Sequence, residues 1–109
     1  MELDEIFAKL KTLGIPVAYL KFNKPQSLPF MVYYEANTEI KGADTYNLYR
    51  EVTINVELYC DKKTPELERQ LEELFRDREL DKEADIYIKD EDMLMTAYSF
   101  TVIQYIKEE

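Results

Sequence analysis

The chain has 109 residues, of which 46% are apolar, and a formal net charge of −9. This length predicts one domain with its own core and a radius of gyration of about 13 Å. The acidic balance argues against a basic nucleic-acid-binding surface. Cys60 is the single cysteine, which leaves no intramolecular disulfide and favours a reducing compartment. The start lacks the pattern of a signal peptide, and no apolar run has the length of a membrane span, so we expect a soluble protein.

The first predicted helix covers about residues 2–13, where apolar side chains recur on one face, and Gly14 and Pro16 end it. Residues 17–22 fit a short strand or an extended connector. The next segment, 30–35, has the apolar and aromatic composition of a strand, with Pro29 at its edge. The apolar positions of the helix are Leu3, Ile6, Phe7, Leu10 and Leu13.

Residues 36–47 form a long polar stretch that contains Gly42, Asp44 and Tyr46. The composition predicts a loop that joins two strands. Loops of this length inside a compact domain are uncommon and often functional. A flexible hairpin tip is the alternative, and the sequence does not decide between the two.

The strongest pattern is a strand followed by a helix, from Arg50 to Leu74. Apolar residues alternate with more polar ones in the strand, which predicts one buried face. Thr64 is a good helix N-cap residue, and Pro65 suits the first helical position. The helix carries an apolar stripe able to pack on the strand, and Glu72 is predicted to lie on its polar face. The inward residues are Val52, Ile54, Val56 and Leu58 in the strand, and Leu67, Leu71, Leu74 and Phe75 in the helix.

The last third of the chain contains a polar turn at 81–85, a short strand at 86–88, a charged turn at 89–92 and the longest strand signal at 95–106. In that last strand, Ile103 and Tyr105 fall on the face opposite Phe100 and Val102. The order of elements predicts an α+β fold. We expect a mostly antiparallel sheet of four or five strands with two helices packed on one face.

Catalytic patterns are missing from the sequence. There is no histidine, which removes the commonest general base and transition-metal ligand. With Gly14 and Gly42 as its two glycines, the chain has no phosphate-binding loop. The acidic run at 90–92 lacks the spaced ligands of a calcium loop. We therefore expect a protein that is not an enzyme and that needs no metal or cofactor.

The distribution of charge and tyrosine points towards contacts with other proteins. Residues 66–92 hold twelve acidic and five basic side chains, whereas Lys21 and Lys24 belong to a mildly basic start. Unlike sides of this kind suit head-to-tail contacts between copies, although a solvated acidic face would also aid solubility. Tyrosine, present nine times, is enriched in interfaces. The candidate interface residues are Tyr105, Ile103, Asp44, Tyr46, Lys21 and Lys24.

Several blocks resemble, in order, the small tail-completion proteins of long-tailed phages and prophages of Gram-positive bacteria. The match runs from about residue 14 to 106, and each block is a strand or turn pattern, so their shared order and spacing carry the resemblance. The blocks are Gly14–Tyr19, Pro29–Tyr34, Gly42–Asp44 with Tyr49, Val56–Lys63 with Pro65–Glu68, and Tyr87–Ile88 with Glu91–Met93.

The resemblance implies that residues 1–109 form one tail-terminator-like domain. Such proteins cap the finished tail tube as a ring, commonly of six copies, and present the surface to which the filled head docks. It implies as partners other copies of the chain, the major tail tube protein and a head completion or connector protein. It also implies a place at the head–tail junction of the virion, after assembly in the host bacterial cytoplasm, with genomic DNA only passing through the ring lumen. The family contributes no catalytic residues.

Two other functions remain open on the sequence alone. A small acidic cytosolic adaptor or inhibitor would use its acidic side against a basic partner protein. An enzyme that relies on carboxylates is the third reading, and the missing histidine and glycine loops argue against it.

Overall fold

The computed structural model describes the backbone of residues 1–43 and 46–106, and the side chains of these residues except at 43, 46 and 47. This part of the chain forms two α-helices, five strands and one short 3-10 turn. The elements are α1 (Leu3–Lys11), β1 (Val17–Tyr19), β2 (Phe30–Ala43), β3 (Tyr46–Cys60), α2 (Pro65–Leu74), β4 (Asp81–Ile88), the 3-10 turn Lys89–Glu91 and β5 (Met93–Tyr105). Neither helix in the described residues is both long enough and apolar enough to cross a membrane.

The strands make one sheet in the order β1-β2-β3-β5-β4. β1 pairs parallel with β2, and the other three pairings are antiparallel. β3 occupies the centre and is flanked by β2 and β5 over most of its length. The predicted α+β fold with a mostly antiparallel sheet is confirmed.

Both helices cover the same face of the sheet. The even-numbered side chains of β3 from Val52 to Leu58 are at most 1% exposed, and they share one apolar cluster with side chains of both helices. Full burial of a large apolar side chain contributes about 1.5–3 kcal/mol to folding. This covered face is therefore the main source of stability. The helices contribute Ile6 and Leu10 from α1, and Leu71 and Phe75 from α2.

The helix ends follow the local sequence only in part. In α1, Glu2 and Glu5 form a reciprocal capping box, in which the Glu2 amide donates to the Glu5 carboxylate at 3.1 Å. In α2, Thr64 holds the predicted N-cap position and Pro65 the first helical position. The Thr64 hydroxyl nevertheless donates to the Lys62 carbonyl at 2.9 Å, so it does not cap the helix as expected.

The prediction of a polar loop at 36–47 is wrong. β2 continues to Ala43 and β3 begins at Tyr46, so most of this stretch is the paired arm of a long β-hairpin. The arm gives no alternating apolar pattern because neither of its faces is packed against a helix, and pairing with the partner strand supplies its order. It also lengthens the molecule. The radius of gyration is 15.5 Å and the longest extent is 51 Å.

Two further predictions in the last third of the chain are wrong. Residues 81–85 are not a turn, because they belong to β4 and pair with β5 from Asp81 opposite Ser99. A bulge between Glu83 and Ile86, with Asp85 at a φ of 60°, interrupts the alternation that would have marked a strand. In addition, β5 has 13 residues and is shorter than β3, which has 15.

Candidate functional site

The face of the sheet that the helices leave open carries two groups of exposed side chains, one at each end. At one end, β5 presents Ile103 and Tyr105, which are 37% and 78% exposed. The Tyr105 ring lies 6.5 Å from the ring of its cross-strand neighbour Tyr49. The neighbours Phe100 and Val102 are buried on the covered face, which confirms the predicted facing of this strand.

The outer backbone edge of β5 is partly occupied at the same end. β4 stops pairing at Ser99, and beyond it the Met1 ammonium donates to the Ile103 carbonyl at 2.9 Å. Arg78 donates to the Thr101 carbonyl at 3.4 Å. These groups occupy backbone acceptors at the edge of the strand, so that edge is less open to pairing with another chain. At this end, the side chains of the open face are therefore a better contact surface than the strand edge.

The other end of the open face holds a cavity of about 490 Å³. Lys21 and Lys24 line it from the segment that follows β1, and both are exposed. The floor comes from the sheet, with Phe30, Glu57 and Tyr59 among the lining residues. Phe30 stacks on Tyr59 with ring centroids 5.0 Å apart.

A hydrogen-bonded network holds the Glu57 carboxylate in this cavity. Tyr59 donates its hydroxyl to one carboxylate oxygen at 2.7 Å, and Tyr34 donates to the other at 3.0 Å. The Asn55 side-chain amide donates to the Tyr34 hydroxyl at 3.3 Å. Burial, followed by the bond to Glu57, raises the pKa of Tyr59 above its ordinary value of 10.0, so the phenol stays protonated and keeps donating.

The structure does not bring the predicted interface residues into one site. Lys21 and Lys24 lie near the Tyr59 end of β3, whereas Ile103 and Tyr105 lie beside its Tyr49 end. Ten residues of strand separate these ends, which is about 33 Å at 3.3 Å per residue. Of the remaining candidates, Asp44 falls outside the described residues, and so does the side chain of Tyr46.

The structure contains an ion network between α2 and β4 that was not predicted from the sequence. Glu68 is 4% exposed, and it lies 2.9 Å from the ammonium groups of both Lys63 and Lys82. Glu72, expected on the polar face, instead contacts Lys82 at 2.8 Å and accepts a hydrogen bond from the Tyr98 hydroxyl at 2.6 Å. Helical spacing could have revealed this network. Leu71 and Glu72 follow Glu68 by three and four residues, so all three side chains lie on one face of the helix.

Outside these two networks lie the ionisable groups that are candidates for metal ligands or reactive side chains. The described residues contain no group of three histidine, cysteine or acidic side chains placed to hold a metal ion. The predicted charged turn at 89–92 is present, and Asp92 accepts the Tyr87 hydroxyl at 2.9 Å. Burial raises the pKa of the Cys60 thiol, which suits a structural side chain.

Comparisons with known proteins support the fold only. No family model matches the chain, and no curated protein matches it significantly. Among the solved structures that match, one superposes with a TM-score of 0.57 at 14% identity, and the match covers 100% of this chain and 99% of that one. A structural similarity at this sequence identity supports the α+β fold and no statement about function.

Proposed function

We propose that this chain is a non-enzymatic structural subunit that forms a ring, caps a phage tail tube and provides the surface for joining the head. The ordered sequence blocks from residue 14 to 106 are the main support from the sequence. The structural observation that carries the proposal is the pair of unlike exposed patches at opposite ends of one sheet face.

The geometry of a ring explains why two unlike patches matter. A closed ring of one repeated chain uses heterologous contacts, in which one patch of each copy meets a different patch of the next. Here one patch is apolar and aromatic, formed by Tyr49, Ile103 and Tyr105. The other patch lies about ten strand residues away and includes Lys21 and Lys24 with the aromatic wall of Phe30 and Tyr59.

The proposal assigns each contact a partner class. Neighbouring copies, six to a ring, meet through the patches at the ends of the open face. The major tail tube protein and a head completion or connector protein meet the two rims of the ring. Genomic DNA passes only through the lumen, which fits a chain with a net charge of −9. The site of action in this proposal is the head–tail junction of a virion assembled in the host bacterial cytoplasm.

The test is the substitution Tyr105→Asp, with Tyr87→Asp as the matched control. Tyr105 is 78% exposed and Tyr87 is 57% exposed, so neither change empties the core. An unpartnered charge in an interface is costly, so Tyr105→Asp should keep the far-ultraviolet dichroism of the wild type yet block ring formation and tail completion. Light scattering with purified tail tubes and complementation of a tail-defective phage measure these outcomes, and Tyr87→Asp should assemble.

If Tyr105→Asp assembles normally, this end of β5 is not part of the interface. A wild-type chain that neither oligomerises alone nor joins purified tail tubes would contradict the ring itself. In that case the acidic adaptor or inhibitor becomes the better function, because Asp81, Glu83 and Asp85 are exposed on the edge strand β4. A basic partner protein would then bind that strand.

A further inference from the structure

The Glu57 carboxylate lacks a cationic partner within the described chain. No lysine or arginine nitrogen among residues 1–43 and 46–106 lies within 4.0 Å of it. By contrast, the buried Glu68 has two lysines at 2.9 Å. A partly buried carboxylate without a counter-ion loses solvation that only hydrogen bonds replace. Glu57 is therefore the group in the cavity that would attract an incoming cation, although Lys21 and Lys24 also line it.

The cavity walls are suited to a flat cation with an apolar stem. Phe30 and Tyr59 stack at 5.0 Å, and Phe22 meets Phe30 edge-on at 5.5 Å. Aromatic faces attract cations, and a guanidinium group stacks on them better than an ammonium group does. Met93 and Leu20 add apolar lining. Each Glu57 oxygen accepts one tyrosine hydroxyl and keeps acceptor capacity for a forked donor.

We propose that this cavity binds a single arginine side chain, presented on an apolar segment of a partner protein. The guanidinium would meet the Glu57 carboxylate and stack beside Tyr59, while the flanking apolar residues fill the remaining volume. At about 490 Å³ the cavity exceeds what one side chain needs and lies within the size range of ligand pockets. The net charge of −9 attracts a basic partner at long range.

The two lysines at the cavity explain why the ligand carries one positive charge and not several. Lys21 and Lys24 line the cavity and are exposed, and Glu91 is the second acid in the lining beside Glu57. Once a cation has neutralised Glu57, two lysines face one acid, so a second cation would meet net positive charge. A polybasic segment is therefore a poor ligand. In the proposed ring this cavity belongs to the patch that meets the neighbouring copy, so a bound arginine segment and that neighbour would compete for it. The inference is tested on the monomeric chain, which contains the whole cavity.

The first test uses the unaltered chain and two small probes. N-acetyl-phenylalanyl-arginine amide is titrated into the isotope-labelled protein, and amide NMR shifts are followed. The neutral analogue, with citrulline in place of arginine, has nearly the same shape. We expect shifts at Leu20, Phe30 and Glu57 with the arginine probe, and binding weaker by about tenfold or more with citrulline, because the charge-assisted bond is lost.

The second test uses Glu57→Gln, with Glu73→Gln as the matched control, because Glu73 lies exposed on α2. Glu57→Gln should weaken the arginine probe by about tenfold or more, and Glu73→Gln should leave its affinity unchanged. Equal binding of both probes to the wild type would overturn the proposal, even if Glu57→Gln fails to fold. Shifts confined to the acidic surface of β4, or tighter binding of a glutamate-containing probe, would overturn it too.

Discussion

The two faces of β3 show two different ways of holding a sheet together. On the covered face, Val52 and its even-numbered neighbours are almost completely buried beneath the helices. On the open face, Asn55, Glu57 and Tyr59 are half-buried and joined in the hydrogen-bond network that includes Tyr34. The same strand therefore contributes apolar packing on one side and a fixed polar surface on the other.

This difference separates stability from recognition. Apolar burial is non-directional and scales with area, so the covered face tolerates little loss of volume. A hydrogen bond exchanged with water contributes only a modest net stability, but it holds side chains in defined positions. We therefore expect large stability losses from changes on the covered face and small ones from changes on the open face.

The largest effect is expected at Leu71, which is fully buried between α2 and the sheet. Leu71→Ala should lower the free energy of unfolding by about 2–5 kcal/mol, through lost burial and the cavity left behind. The neighbouring change Gln70→Ala, at an exposed position of the same helix, should stay within about 0.5 kcal/mol. Urea unfolding measures both, and a Gln70 effect equal to that of Leu71 would mean that α2 is docked on another face.

A smaller loss is expected from Lys82→Met, which removes the cation shared by Glu68 and Glu72. Lys63 still reaches Glu68, and Lys82 is itself partly exposed, so we expect about 1–2 kcal/mol. Lys89→Met, at an exposed position of the 3-10 turn, is the matched control and should cost less than about 0.5 kcal/mol.

The Lys82→Met effect should also depend on pH. Burial acts to raise the pKa of Glu72, but hydrogen bonds from Lys82 and Tyr98 outweigh it and hold that pKa below its ordinary value of 4.5. A depressed pKa contributes stability above the ordinary value, and this contribution is lost as the pH falls through the folded-state pKa. The difference in stability between wild type and Lys82→Met should shrink as the pH is lowered from neutral. A difference independent of pH would show that the lysine acts through packing alone.

The smallest effect is expected on the open face, from Tyr34→Phe. The change removes the hydroxyl that donates to Glu57 and accepts from Asn55, while the ring remains. We expect a loss of about 0.5–1.5 kcal/mol in thermal or urea unfolding. Tyr87→Phe breaks a comparable bond to Asp92 at an exposed position and should cost less. A loss as large as that of Leu71→Ala would contradict the division between the two faces.

Local patterns predicted the elements whose packing follows their own periodicity. The alternation around Val56 and the helical stripe through Leu71 marked β3 and α2, and both have the predicted buried residues. The facing of Tyr105 followed from the same alternation. Patterns failed where a neighbour supplies the order, as in the hairpin arm at 36–43 and in the bulged strand β4.

The candidate site was only partly predictable for a related reason. Lys21 was singled out by its charge, but its placement at the same cavity as Glu57 depends on chain segments distant in sequence. The burial of Glu68 was missed because Lys82, one of its two partners, lies on another element.

The sequence by itself determined the α+β class, the covered face and the direction in which Ile103 and Tyr105 point. These properties follow from periods of two and of 3.6 residues, which are local consequences of backbone geometry. Tertiary structure alone decided which side chains meet. It separated the two patches along β3, held Glu57 between Tyr34 and Tyr59, and joined Glu72 to Tyr98. Strand register and the return path of the chain set these meetings, because they bring together residues that no local period relates.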